Sequence, residues 1–188
     1  MILAYLRQRF RLAFFGPLAF VLAATALGYR TSLMELAAAT IGGLMLLAQF
    51  RIWDDIADRS HDAIAHPDRL LVTATNLTPL VALGMGLLAI NVFVALQRDA
   101  ALISTLCLAL LHAALGGYYL CRRGRTVLGD QLLLVKYSAF VCILAGERLL
   151  ASPLPVILGA AIVYAAASAY EAWHDPISPL AQYLGGRS

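Results

Sequence analysis

The chain has 188 residues, 61% of them hydrophobic and only 13% charged, with a mean hydropathy of +0.78. A water-soluble fold of that composition would expose apolar surface it could not cover, so the surface must face lipid. Net charge is +3, and the 14 Lys and Arg residues are clustered between apolar runs, a pattern of membrane topology that offers no patch for nucleic acid.

In chain order, Arg7, Arg9 and Arg11 precede an apolar stretch. They resemble the start of a signal peptide, but no small-residue cleavage site ends the stretch, and it is expected to be a first permanent helix. A helix needs about 20 apolar residues to cross roughly 30 Å of hydrocarbon, where the backbone must satisfy its own hydrogen bonds. Six runs qualify: 12–29, 33–50, 70–96, 100–120, 127–145 and 154–170. They predict an all-α, polytopic transmembrane bundle of about six helices forming a single integral membrane domain over 1–188. Ser32 and Glu35 have the spacing of a capping box at the start of the second run, and Pro153 and Pro155 suit the first turn of the sixth. Cys107, Cys121 and Cys142 show no metal-ligand spacing and read as small apolar residues.

Six crossings place the N-terminus, the 51–69 loop, the 122–125 loop and the C-terminus on one side. That side holds Arg7, Arg9, Arg11, Arg51, Arg59, Arg69, Arg122, Arg123, Arg125 and Arg187, against Arg30, Arg98 and Arg148 opposite. The positive-inside rule makes the richer side cytoplasmic, with the protein in the cell's inner membrane. Lys136 falls well inside the fifth run, where an ammonium needs a partner or a water-filled cavity.

The segment after the second run carries the chemistry. Asp54, Asp58 and Asp62 stand at i, i+4 and i+8, and Asp55 lies three before Asp58; on a helix these four share one face. Like charges so spaced disfavour a helix by about 0.2–0.5 kcal/mol per pair. Magnesium would resolve the repulsion, since it takes carboxylate oxygen and is usually held by one or two carboxylates together with substrate phosphates. Arg59 and Arg69 punctuate the segment in a way that suits a phosphate. A solvated acidic loop is the plainer alternative, and His61 and His66 read as loop histidines rather than ligands.

Asp54-Asp55-x-x-Asp58-x-x-x-Asp62 followed by His66-Pro67-Asp68-Arg69 resembles the first signature of the UbiA superfamily of intramembrane prenyltransferases, which also follows a second transmembrane helix. Glu171 and Asp175, at the end of the sixth run, resemble that family's second acidic signature, with glutamate in place of its first aspartate. Family members usually carry more helices than the six read here, and a homo-oligomer or helper subunit would complete the bundle; Gly42-Gly43 and Gly116-Gly117 offer small faces for such association.

The resemblance implies a magnesium-dependent membrane enzyme that moves an isoprenyl group from an isoprenyl diphosphate donor to an aromatic or other lipophilic acceptor. It implies magnesium on Asp54, Asp55, Asp58 and Asp62 and on Glu171 and Asp175, with Arg69 and Lys136 on the diphosphate. For Lys136 a structural ion pair with Asp130 is an equal alternative. Tyr118, Tyr119, Tyr137, Tyr164 and Tyr170 are weaker candidates to line the cavity. Three rivals stand beside this reading. A non-catalytic family member would bind a lipid diphosphate or serve as an assembly subunit. A CDP-alcohol phosphotransferase would need glycine where Arg59 stands, and a cation transporter would need acids within the spans.

Overall fold

The computed structural model describes residues 1–29, 31–122, 124–175 and 178–185, the side chains of Ala65 and Leu184 aside. Arg30, Arg123 and Arg187 of the charge pattern lie outside the described residues. All regular structure among the described residues is helical. In chain order it comprises α1 (Ile2–Arg9), α2 (Leu12–Leu27), α3 (Leu33–Ala57), α4 (Arg59–Ala65), α5 (Leu70–Thr73), α6 (Thr78–Leu96), α7 (Ala101–Cys121), α8 (Val127–Ala145), α9 (Arg148–Ala151), α10 (Pro153–His174) and α11 (Pro179–Gly185). Helices α3, α6, α7, α8 and α10 are each long and apolar enough to cross a membrane, and α1 with α2 makes a sixth candidate that is bent by 70° at its break. Surface composition agrees: Leu102, Leu106 and Leu110 form an exposed apolar stripe on α7, while Ser104, Leu108, Leu111 and Leu115 on its other side are buried. Such a stripe is unfavourable in water and favourable against lipid tails.

The chain divides into two compact units, one of Met1–Val21 and Thr31–Val94, the other of Leu22–Arg30 and Ala95–Ser188. In the first, α3 opens on the expected capping box. The Glu35 amide donates to Ser32 Oγ at 3.2 Å, and the Ser32 amide donates to Glu35 Oε2 at 2.9 Å. Halfway along, Asn91 of α6 donates to Gln49 of α3 at 2.7 Å with both residues buried, a polar link of the kind that joins helices where no water competes.

The run read as one span over 70–96 breaks. Its first turn is α5, and the chain leaves helical geometry before α6 begins at Thr78. The carbonyls left open there are taken by Arg59, which donates to Leu71 O at 2.9 Å and Ala74 O at 2.8 Å. The guanidinium that suited a phosphate is thus engaged by backbone. Next to it, Tyr5, Ile52, Leu71 and Leu80 form a buried cluster with Leu6 and Ile56 packed against it, which docks α1 on α3, α5 and α6. Phe10 stacks on Phe15 at 4.2 Å between ring centroids and pins the bend between α1 and α2.

In the second unit α8 packs between α7 and α10. Gln131 on α8 accepts from Tyr164 and Ser168 on α10, and Ser138 donates to Ala160 O at 2.7 Å. Gly159 is required for close approach, because a Cβ there would come within 2.5 Å of Thr25 Cγ2. Two arginines terminate helices. Arg98 donates to the Leu144 and Ile143 carbonyls at the end of α8, beside Gly146 at φ +53°. Arg148 donates to Ala26 O at the end of α2, where Gly28 at φ +73° leaves room that a Cβ would take from the guanidinium. A cation at a helix C-terminus meets both open carbonyls and the negative end of the dipole.

Candidate functional site

The aspartate segment is helical through the junction of α3 and α4. Asp58 itself sits in the right-handed region at φ −86°, ψ −4°. Backbone bonds run from Asp58 N to Asp54 O at 2.8 Å, from Asp62 N to Asp58 O at 2.9 Å and from His66 N to Asp62 O at 2.7 Å. The i, i+4, i+8 aspartates are therefore successive turns of one helical path, at the end of a helix that is apolar over most of its length.

Asp55 is held from several sides. It is 3% exposed and accepts from Tyr5 OH at 2.8 Å and Arg9 Nε at 3.1 Å on Oδ2, and from Arg9 Nη2 at 2.5 Å on Oδ1. Arg51 Nη2 approaches Oδ1 at 3.2 Å from one turn earlier on α3. A carboxylate has about four lone-pair sites, and Asp55 has a donor for each. Arg51 Nε is buried without a hydrogen-bond partner, so donors outnumber acceptors at this point. Farther along the same path, Asp62 pairs with Arg69 at 2.5 Å. The structure thus joins two residues of the motif that sequence placed in separate roles, metal ligand and diphosphate contact.

A second acidic group lies in the other unit. Arg125, just before α8, reaches Asp130 Oδ2 at 3.1 Å, Glu171 Oε1 at 3.4 Å and Asp175 Oδ2 at 3.0 Å. Asp130 is in the first turn of α8, where the helix dipole favours a carboxylate, and Thr126 caps that turn by accepting from Gly129 N at 3.0 Å. Burial works against the Arg125 charge, but the hydrogen bonds to Asp130 and Asp175 and their charges outweigh it and hold its pKa above the ordinary value. Lys136 is buried on α8 with its ammonium 5.6 Å from the Tyr137 ring centroid. The tyrosines are dispersed: Tyr118 and Tyr119 both lie beneath the Arg122 guanidinium, Tyr164 serves Gln131, and Tyr170 stacks on His174.

Residues that sequence reasoning missed are Tyr5, Arg9 and Arg51 at Asp55, and Arg125 with Asp130 beside Glu171 and Asp175. Arg51 and Asp55 are an i, i+4 pair and were legible as such. Tyr5 and Arg9 share a helix face, but nothing local connects them to a residue about fifty positions away.

Among the described residues no three His, Cys, Asp or Glu side chains gather closely enough to hold a metal ion. A groove of about 530 Å³ beside Arg59, Asn76 and Thr78 has none of the aspartates in its lining. No family model, no curated protein and no solved structure matches the chain.

Proposed function

We propose that the chain is an integral membrane prenyltransferase that binds an isoprenyl diphosphate with magnesium on the Asp54–Asp62 face and passes the isoprenyl group to an aromatic or other lipophilic acceptor. The observation that carries the reading is the unbroken backbone path Asp54–Asp58–Asp62 at the polar end of an apolar helix. Repeating carboxylates there cost helix stability, a cost that a shared divalent cation would offset. Bound magnesium would neutralise charge gathering on the departing diphosphate.

The chain's own residues divide the remaining work. Asp58 and Asp54 present oxygen to the metal. Arg69, paired with Asp62, would supply a guanidinium to a diphosphate that magnesium holds at the aspartate face. The surrounding apolar helices keep water from the reacting carbon. The proposal keeps the acidic segment and both termini on the cytoplasmic face, as the arginine distribution favours. Lys136, Glu171 and Asp175 belong to the second unit; in this proposal Lys136 would contact the diphosphate and the two acids would hold further magnesium.

A second reading, a non-catalytic binder of lipid diphosphate or an assembly subunit, is favoured by one observation: Asp55, Asp62, Asp130, Glu171 and Asp175 are all paired with arginine. The test is binding of geranylgeranyl diphosphate to the chain in nanodiscs, with and without magnesium, followed by product analysis with aromatic lipid acceptors. Magnesium-dependent binding that is lost in Asp54→Ala/Asp58→Ala supports the site. Binding without any product favours the lipid-diphosphate binder, and absence of binding by folded wild type refutes the chain as an enzyme on its own and leaves the assembly subunit.

A further inference from the structure

The N-terminal helix ends inside the aspartate site. Arg9 is the last residue of α1, immediately before the break whose angle Phe10 and Phe15 fix by stacking. Tyr5, one turn earlier, is 1% exposed in the cluster with Ile52, Leu71 and Leu80, so α1 is anchored and delivers its C-terminal arginine to one place. There Arg9 makes a two-point contact on Asp55 while Tyr5 OH fills another of its acceptor positions. With Arg51 on the remaining one, a divalent cation has no open lone pair on Asp55. The Arg9 side chain is 18% exposed and the carboxylate 5%, so the guanidinium is the more exposed of the two and has solvent to move into.

We infer that α1 is an autoinhibitory clasp: Arg9, positioned by Tyr5, occupies Asp55 and must withdraw before a divalent cation can use that carboxylate. The inference rests on the reading of the Asp54–Asp62 face as a metal site and adds how access to it is regulated. It makes the first ten residues, which are otherwise a short basic helix, part of the control of the site. It also accounts for the excess of donors around a single carboxylate. Arg51 remains behind as the partner from the same helix, and Arg9 is the one residue whose departure opens an acceptor position on each oxygen at once.

The experiment uses the full chain in nanodiscs of neutral lipid and Mn2+ as the probe, with free Mn2+ read by electron paramagnetic resonance. Wild type is compared with Arg9→Gln, Tyr5→Phe and Arg9→Gln/Asp55→Asn, each checked for folding by size-exclusion elution and helical circular dichroism. Loss of a two-point charge-assisted bond that competes for the same oxygens should tighten Mn2+ binding about tenfold in Arg9→Gln. Tyr5→Phe, which deletes a single hydroxyl and leaves the ring in its cluster, should tighten it by roughly threefold. Asp55→Asn in the Arg9→Gln background should abolish the gain. In wild type, saturating Mn2+ should speed hydrogen exchange of the amides of residues 2–9. Unchanged or weaker Mn2+ binding in both single variants, with wild-type binding intact, would overturn the clasp and leave the metal site standing. Failure of all four proteins to bind Mn2+ would remove the metal site itself, and the clasp with it.

Discussion

The two acidic groups solve opposite problems of charge. At Asp55 one buried carboxylate is surrounded by two guanidiniums and a tyrosine hydroxyl, and a buried Arg51 Nε is left over. At Arg125 one guanidinium, its side chain 46% exposed, serves three carboxylates of which Asp130 is buried. The first group is short of negative charge and the second is short of positive charge. In each, the residue whose loss matters most should be the scarce one, and a variant of a surplus residue should be tolerated.

The largest effect is expected from Asp55→Ala. It strands Tyr5 OH, which is buried, and the partly exposed guanidiniums of Arg9 and Arg51, and removing one partner of a buried ion pair typically costs about 3 kcal/mol or more. Arg125→Gln should follow at about 2 kcal/mol, lowered because water reaches the half-exposed guanidinium. Reversible unfolding in mild detergent would rank the two. Equal or inverted losses would break the comparison. It is sharpened by a double variant: in Arg125→Gln/Asp130→Asn the buried charge left behind is gone, so part of the loss should return as a coupling of roughly 1 kcal/mol. Strict additivity would mean that Arg125 stabilises by packing and not by charge.

How far these groups could be foreseen depends on the distance over which each relation acts. Periodicity and apolar length marked α3, α6, α7, α8 and α10, and local capping chemistry marked the Ser32–Glu35 start. The i, i+4, i+8 spacing of the aspartates survives as a helical path because it is carried by local backbone bonds. The break before α6 was hidden, because four residues between apolar turns barely change a hydropathy average and the arginine that stabilises the break sits elsewhere in the chain. Arg98 and Arg148 entered the sequence reading as counts on one side of a membrane, and each proves to close a particular helix end. Charge counting registers how many cations a loop carries, whereas their partners are carbonyls that every residue has. The same blindness applies to Tyr5 and Arg9. A short basic segment looks like a topology signal until folding brings it to Asp55.

The smallest effect tests the surplus side of the comparison. Arg51 touches Asp55 only through Nη2 at 3.2 Å, the longest of the four approaches to that carboxylate, and its Nε is buried without a hydrogen-bond partner. Replacing it with glutamine removes one weak ion pair but also removes a donor whose desolvation is uncompensated, and these contributions oppose each other. Arg9 and Tyr5 still satisfy both oxygens of Asp55. Arg51→Gln should therefore change stability by no more than about 0.5 kcal/mol in either direction, and unfolding midpoints measured beside those of Arg9→Gln would show it. A loss as large as that of Asp55→Ala would mean that Arg51 is the principal partner of the carboxylate. The surplus would then lie with Arg9, whose place on Asp55 would be the dispensable one.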